Sequence, residues 1–213
     1  MSNKQFKAFG VASPLHLTPA IARSYTYEAD RESDPNKKFP GTPFINDDNP
    51  FNEKVRNAKN ILEIGCGVGR NVPYLMENTA AKYTGLDPNK VGMLDHFWDI
   101  VPTKYQDRVT ITDTFDDLKG EKFDLIICTF VLQHIGYRPD SETMNIDDIT
   151  QKVMEHTSQG TVWFLLEHNF EEDWQTKWMA ANGIVPDVFI QPWTRFPELR
   201  HRTEHNLIIW EEK

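Results

Sequence analysis

The sequence predicts an α/β fold in which helices pack against a mostly parallel β-sheet. From about residue 51 onwards, short apolar runs alternate with segments of helical length, which is the pattern of βαβ units. The run FDLIICTF at residues 123–130 is almost entirely apolar, as expected for a strand buried on both faces of a sheet. The last two apolar runs lie close together in the sequence, so we expect them to form an antiparallel hairpin at one edge.

Each element is predicted from its apolar pattern and from the residues that bound it. Short apolar runs indicate strands, and the longer segments between them mix polar and apolar residues as amphipathic helices do. The predicted strands are 60–64, 83–86, 109–112, 123–130, 161–167, 185–190 and 206–210. The predicted helices are 70–78, 89–100, 146–156 and 171–181.

The chain divides into two unequal parts. Its 213 residues fit one domain with an appendage. Residues 1–50 are rich in proline, asparagine and aspartate, which interrupt any long element, but they also carry many apolar side chains. We therefore predict an N-terminal extension at 1–50, acting as a lid over the ligand site or as a plain wrap, and a ligand-binding domain at 51–213.

Charge and composition exclude several classes of protein. The net charge is −9, whereas surfaces that follow phosphates are usually basic, so nucleic acid is not expected as a partner. No apolar stretch reaches the roughly 18 residues that cross a bilayer, and the segment MSNKQFKAFG has no secretory h-region. Two cysteines are too few for a disulfide framework, which favours the reducing cytoplasm. The seven histidines are scattered, so we predict no metal site.

The segment ILEIGCGVGRN places Gly65, Gly67 and Gly69 directly after the first predicted strand. Ligands of open α/β sheets bind beyond the carboxyl ends of the strands, where this loop lies. Glycine permits positive φ angles and lets the backbone approach a ligand closely. Amides that open a helix favour negative groups. The loop therefore predicts a site for a nucleotide-like ligand.

The spacing of the glycines bears on which ligand is bound. A dinucleotide fingerprint reads G-x-G-x-x-G, whereas this loop reads G-x-G-x-G and has Arg70 where the third glycine of the fingerprint would fall. The role of that third glycine, close packing of helix on strand, is not met in register. This disfavours a dinucleotide, and residues on the next strands are needed to identify the ligand.

Acidic residues follow the second and third predicted strands. Asp87 ends the second strand in YTGLDPN, where a carboxylate can accept both hydroxyls of a ribose. Asp113 follows the third strand in VTITDTFDDL, where it can accept an adenine amino hydrogen while the amide of Thr114 reaches a ring nitrogen. Each acid has an alternative role as a helix N-cap, Asp87 for a helix from Pro88 and Asp113 for a helix from Thr114. Both roles stay open at this point.

The segments LEIGCGVGRN, YTGLDPN, VTITDTFDDL and FDLIICTFVLQHI, in this order and spacing, resemble the motifs of class I S-adenosylmethionine-dependent methyltransferases. The resemblance covers residues 58–135 well and the later strands loosely. It implies a three-layer Rossmann-like sandwich whose seven-stranded sheet is mostly parallel with one antiparallel edge strand. It also implies S-adenosyl-L-methionine as the cofactor and methyl transfer as the reaction.

The resemblance further implies a role for each matching residue. Glu63 and the glycine loop would line the methionine part of the cofactor, and Asp87 would bind the ribose hydroxyls. Residues 128–130, at the end of the fourth strand, would lie near the sulfonium and the mouth of the acceptor site. The whole implied cofactor-binding set is Glu63, Gly65, Cys66, Gly67, Gly69, Asp87, Pro88, Asp113, Thr114 and Thr129.

Residues after the fourth strand are candidates for the acceptor side of the site. Methyl transfer mainly requires alignment, and it requires a base only where the nucleophile must lose a proton. His134 is the candidate base, because it lies in that turn and histidine has an ordinary pKa of about 6.5. Its alternative role is to cap or pack the next helix. The candidate acceptor-binding residues are Phe130, Tyr137, Arg138 and His168.

The sequence lacks two motifs of nucleic-acid methyltransferases, and this restricts the range of possible methyl acceptors. Enzymes that methylate exocyclic base nitrogens carry an Asp/Asn-Pro-Pro-aromatic motif where this chain has CTFV, and the Pro-Cys nucleophile of cytosine-C5 enzymes is absent. We therefore expect a small-molecule acceptor, or a peptide or protein, without nucleic-acid or membrane partners. One alternative is a protein of this fold that binds S-adenosylmethionine but is non-catalytic, or that catalyses another reaction such as aminopropyl transfer. A less favoured alternative is an NAD-linked oxidoreductase.

Overall fold

The computed structural model describes residues 52–88, 92–129, 131, 146–168, 188–190 and 205–211. Within these ranges the α-helices are α1 Asn52–Asn57, α2 Val72–Asn78, α3 Phe97–Ile100 and α4 Ile146–Met154. Short 3₁₀ helices cover Leu94–His96, Thr103–Tyr105 and Phe115–Leu118. The strands are β1 Asn60–Ile64, β2 Lys82–Leu86, β3 Val109–Thr112, β4 Leu125–Thr129, β5 Val162–His168, β6 Val188–Ile190 and β7 His205–Glu211.

The strands form one sheet in the order β3-β2-β1-β4-β5-β7-β6. Strands β1 to β5 pair in parallel, and β7 runs antiparallel to both β5 and β6. The chain builds outwards from β1 to β3 and then returns to place β4 on the other side of β1. The strand order therefore reverses between β1 and β4, and this is the point where open α/β sheets bind ligands.

The prediction of an α/β fold with a mostly parallel sheet is confirmed. The two late strands, β6 and β7, pair in antiparallel fashion. The position of the antiparallel strand differs from the prediction. β7 lies between β5 and β6, so the edge is formed by β6, which has the same direction as β5. Antiparallel pairing fixes the relative direction of the two late strands, but it does not fix which of them takes the outer position.

The predicted and observed bounds agree at β1 and β3 and differ by one to three residues at β2, β4 and β5. The helix predicted over 89–100 is wrong at residues 92–93, because Gly92 takes a φ of +75° and the helical turns begin at Leu94. Residues 89–91 lie outside the described residues. The short helix α1 was not predicted. The extension 1–50 and the predicted helix 171–181 lie outside the described residues.

The sheet is covered on both faces, which confirms the layered arrangement. Successive residues of β1 and β4 alternate between two apolar clusters, as the period of a strand requires. One cluster joins strand residues to α2 and α3 and contains Ile61, Tyr83, Leu125, Ile127, Leu75 and Phe97. The other packs against α4 and the 3₁₀ helix after β3 and contains Leu62, Ile64, Ile126, Cys128, Phe115 and Ile149. In the described part of the chain, no helix is long and apolar enough to span a membrane.

Gly85 in the middle of β2 leaves room for side chains on one face of the sheet. A Cβ atom placed on it would lie 2.6 Å from Cys66 Sγ, 3.0 Å from Cys66 Cβ and 3.1 Å from Tyr83 Cε1. Gly85 is paired with Glu63 on β1. The missing side chain therefore makes room for Cys66 and Tyr83 beside Glu63.

Replacing Gly85 by alanine should lower the free energy of unfolding by ~1–3 kcal/mol, because the new methyl group overpacks the buried side chains. Urea unfolding of G85A, C66A and the double variant measures this. Cys66→Ala removes the sulfur that lies 2.6 Å from the new Cβ, so the double variant should lose less stability than the sum of the single losses. Additive losses would contradict the proposed clash.

Candidate functional site

The glycine loop joins β1 to α2 at the carboxyl edge of the sheet. Gly65, Gly67 and Gly69 all have positive φ angles, +66°, +53° and +76°. Such angles are strained for residues with a Cβ atom, so glycine is required here by the backbone path itself. The loop closes tightly, since the Gly69 amide donates to the Cys66 carbonyl over 2.9 Å.

The three glycines face different surroundings. A Cβ on Gly65 would collide with the Val131 side chain, and one on Gly69 would lie 2.5 Å from Val101 Cγ2 and 2.7 Å from Phe97 Cε2. No described atom lies within 4 Å of the corresponding position at Gly67. Gly65 and Gly69 therefore serve close packing inside the protein, whereas the space at the Cβ position of Gly67 is clear of described atoms.

Asp87 anchors the loop to the end of β2. Its Oδ2 accepts a hydrogen bond from the Gly67 amide over 3.1 Å, and its own amide donates to the Thr112 carbonyl over 3.0 Å. Asp87 is half-buried. The half-buried carboxylate that sequence analysis assigns to a ribose thus stands beside the glycine whose Cβ position is open.

Glu63 lies inside the sheet and is 1% exposed. Tyr83 on β2 donates its phenol hydrogen to Oε2 over 2.6 Å, and Asn71 donates an amide hydrogen to Oε1 over 2.7 Å. Asn71 Nδ2 also donates to Thr129 Oγ1, at the end of β4, over 3.3 Å. We call Glu63, Tyr83, Asn71 and Thr129 the carboxylate network; it joins three neighbouring strands to the start of α2.

Burial raises the pKa of Glu63 to about 7. The hydrogen bonds from Tyr83 and Asn71 and the charge of Arg70 favour the ionised form, but they offset only part of this effect, and the Asp87 carboxylate raises the pKa further. Burial and the neighbouring Glu63 carboxylate also raise the pKa of the Tyr83 phenol well above its ordinary value, so Tyr83 keeps the hydrogen that it donates.

Cys66 and Cys128 are buried and form no disulfide. Burial, followed by the charges of Asp87 and Glu63, raises the pKa of the Cys66 thiol well above its ordinary value. A thiol in this environment stays protonated and is a poor nucleophile. Cys66 therefore acts in the loop as a small apolar side chain.

The end of β3 resolves one of the alternatives left open by the sequence. Thr114, not Asp113, is the N-cap of the 3₁₀ helix Phe115–Leu118, because its side chain accepts from the Asp116 amide over 3.3 Å. Asp113 is exposed. The capping role for Asp113 is wrong, and its role as an adenine contact stays a prediction.

The structure does not test the remaining predicted site residues. Pro88 is half-buried beside Asp87, and a helix from Pro88 would run through residues 89–91, outside the described part. His168 closes β5, but its side chain is not among those described. Four of the predicted acceptor-side residues lie outside the described residues, namely Phe130, His134, Tyr137 and Arg138.

Sequence analysis missed Asn71 and Tyr83. The signal for Tyr83 was available: it stands two residues before Gly85, which pairs with Glu63, so both side chains lie on the same face of neighbouring strands. A buried carboxylate requires donors, and a tyrosine on that face can supply one. No comparable signal marks Asn71, because its contact depends on how the loop folds back over β1.

Comparison with known proteins agrees with this geometry. Residues 62–162 match the family model described as a methyltransferase domain, a segment that runs from β1 to the first residue of β5. It includes the glycine loop, Asp87 and Asp113. No curated protein sequence matches the chain.

Several solved structures share the fold. The Burkholderia thailandensis 1,6-didemethyltoxoflavin-N1-methyltransferase, with bound 1,6-didemethyltoxoflavin and S-adenosylhomocysteine, has a TM-score of 0.61 at 16% identity, over 96% of this chain and 92% of that one. An S-adenosylmethionine-dependent methyltransferase from Mesorhizobium loti has a TM-score of 0.52 at 16% identity, over 76% and 98%. A ribosomal protein L11 methylase from Lactobacillus delbrueckii subsp. bulgaricus has a TM-score of 0.53 at 14% identity, over 74% and 71%.

The buried carboxyl of Glu63 should make stability depend on pH. With a pKa of about 7 in the folded chain and 4.5 when exposed, Glu63 holds a proton on folding, so stability is lost as pH rises from 4.5 to 7. The loss should reach roughly 3 kcal/mol. Glutamine does not ionise, so E63Q should not show this loss. The free energy of unfolding of E63Q minus that of wild type should therefore rise from pH 4.5 to pH 7, which urea unfolding of both proteins at these two pH values measures.

Glu77→Gln is the matched control for this experiment. Hydrogen bonds from Tyr105 and Lys104 lower the pKa of Glu77, so Glu77 is ionised in the folded chain throughout the same range. Glu77 therefore takes up no proton on folding, and the stability of E77Q relative to wild type should not rise with pH. A constant difference for E63Q would show that Glu63 has an ordinary pKa.

Proposed function

We infer that this chain, which carries a methyltransferase domain of the class I S-adenosylmethionine-dependent family, transfers a methyl group from S-adenosyl-L-methionine to a small-molecule acceptor. The observation that carries the proposal is the pairing of Gly67 with Asp87 at the switch point of the sheet. It puts an open stretch of glycine backbone and a half-buried carboxylate side by side. An adenosyl ligand with a ribose diol and an amino-acid tail fits both.

The residues present fit the cofactor. Gly67 presents backbone whose Cβ position is clear of described atoms, and the Asp87 carboxylate has two oxygens, one of which accepts from the Gly67 amide. Glu63 supplies negative charge beneath the loop, on the side where the resemblance places the methionine part. Thr129 ends β4, next to the position proposed for the reacting methyl group.

When bound, S-adenosyl-L-methionine supplies a methyl group that its positive sulfur makes electrophilic. The chain's task is to hold the acceptor in line with the carbon–sulfur bond, and alignment alone can lower the barrier by roughly 7–11 kcal/mol. In this proposal, the glycine loop and Asp87 hold the cofactor. We propose that Phe130, Tyr137, Arg138 and His168 bind the acceptor and that His134 accepts its proton where one must be lost.

The acceptor is proposed to be a small molecule, with residues 1–50 closing over it as a lid. The same fold serves a small-molecule methyltransferase in Burkholderia thailandensis and a ribosomal protein methylase in Lactobacillus delbrueckii. The acidic balance of the chain, −9, argues against nucleic acid. We place the activity in the cytoplasm, in keeping with two cysteines that form no disulfide.

Incubation with S-adenosyl-L-methionine labelled on the methyl group tests the reaction class. A low-molecular-mass cell extract and the matching macromolecular fraction serve as acceptor pools. Label that depends on the protein should appear in the small-molecule pool. Label confined to the macromolecular pool would overturn the small-molecule assignment. Transfer of the cofactor's aminocarboxypropyl group, or of an aminopropyl group from its decarboxylated form, would leave the methyl label on the methylthioadenosine by-product, which chromatography separates.

Removing the Asp87 carboxylate should weaken binding of S-adenosylhomocysteine by ~1–3 kcal/mol in isothermal titration calorimetry, because the ribose hydroxyls lose their acceptors. Asp87→Asn keeps an oxygen for the Gly67 amide but offers a donor in place of the second acceptor. It should therefore also lose affinity, which separates ribose binding from loop anchoring.

Asp124→Ala is the control for Asp87→Ala. Asp124 Oδ2 accepts the Lys59 and Asn60 amides at the opposite edge of the sheet, over 2.7 and 3.0 Å. This substitution also removes a carboxylate that anchors backbone amides, but it should leave the affinity unchanged. Equal affinity of D87A and wild type would remove Asp87 from the ribose site. No binding by wild type at high micromolar ligand would overturn the proposed function as a whole.

A further inference from the structure

Asn71 connects the Glu63 carboxylate to the end of β4 from a fully buried position. It is 0% exposed, and its side-chain nitrogen donates to Glu63 Oε1 over 2.7 Å and to Thr129 Oγ1 over 3.3 Å. An amide nitrogen carries two hydrogens, and here two acceptors match them. The main-chain carbonyl of Asn71 accepts a hydrogen bond from the Leu75 amide over 3.1 Å in the first turn of α2. Asn71 is therefore held in one orientation by three elements.

Few groups favour the ionised form of Glu63. Tyr83 on β2 and Cys66 in the loop are neutral, and Asp87 at the end of β2 is negative. Arg70 supplies the positive charge among the described groups that act on it. The hydrogen bonds from Tyr83 and Asn71 are therefore a large part of what stabilises the ionised form of Glu63 inside the sheet.

We propose that Asn71 is a positioning residue of the cofactor site: anchored by Thr129, it holds Glu63 in the oriented, ionised form that attracts the positively charged amino group of the cofactor. The inference rests on the proposed function and adds a residue to it. Glu63 is covered by the loop, but a carboxylate in a poorly polar interior attracts a nearby cation without touching it. Ligand binding should therefore strengthen as Glu63 ionises.

The test is calorimetric titration of the full chain with S-adenosylhomocysteine from about pH 5.5 to about pH 8.5. In wild type the affinity should rise with pH, with a midpoint near the Glu63 pKa of about 7. Asn71→Leu keeps the side-chain volume but removes the donor. Its midpoint should move up by roughly one to two pH units, the effect of losing one hydrogen bond to a charged group.

Two further variants isolate the cause. Asn78→Leu removes a side chain of the same type at the other end of α2, where Nδ2 donates to the Tyr74 carbonyl over 2.8 Å; it should leave the midpoint unchanged. Glu63→Gln should abolish this pH dependence. The ligand's own amino group titrates alike in every experiment, so the comparison between variants is free of it.

Thr129→Val keeps the bond from Asn71 to Glu63 but removes the anchor. It should shift the midpoint in the same direction by a smaller amount, and it takes the place of Asn71→Leu if that variant does not fold. A purely structural role for Asn71 predicts the same loss of affinity at every pH, and this result would overturn the proposal.

The proposal would also fail if the pH dependence persisted in Glu63→Gln. Absence of binding by wild type at every pH is a different result. It would overturn the proposed function itself and can be told apart from a failure of the Asn71 proposal.

Discussion

Glu63 is a carboxylate at the centre of a parallel sheet, where an unpaired charge would cost several kcal/mol. Much of the local structure meets that requirement. Tyr83 reaches across from β2 and Asn71 folds back from the start of α2, so both oxygens of Glu63 are bonded. Gly85 has no side chain, which leaves the space that Tyr83 and Cys66 occupy. Because Asn71 precedes the first residue of α2, its bond to Glu63 also fixes where α2 starts relative to the sheet.

The three glycines of the loop differ in their surroundings. Gly65 and Gly69 allow close packing against Val131, Val101 and Phe97, whereas the Cβ position of Gly67 is clear of described atoms. Asp87 holds that open glycine from the next strand. At a ligand site proposed here, the loop would be supported by the bond from Asn71 to Glu63 and by the bond from the Gly67 amide to Asp87. Such support lets a site act without large rearrangement.

Prediction from sequence succeeded where one local signal decides the outcome and failed where two signals compete. The bounds of β1 and β3 follow from compact apolar runs. The helix predicted over 89–100 missed the effect of Gly92, whose positive φ ends helical geometry. At the end of β3, Asp113 and Thr114 are both suitable caps by type, and the backbone geometry selects Thr114. Neighbouring residues with equal propensities cannot be separated without coordinates.

Sequence patterns alone were sufficient to predict the fold class, the position of the glycine loop and the acidic residues at the ends of β2 and β3. These predictions succeeded because strand period and glycine requirements are local properties of the chain. Three outcomes depend on tertiary packing. The Cβ position of Gly67 is clear of described atoms, β7 lies between β5 and β6, and Asn71 bridges Glu63 and Thr129. These outcomes join residues up to 58 positions apart. Such pairings depend on how the loop and the sheet pack together, which no local pattern in the chain encodes.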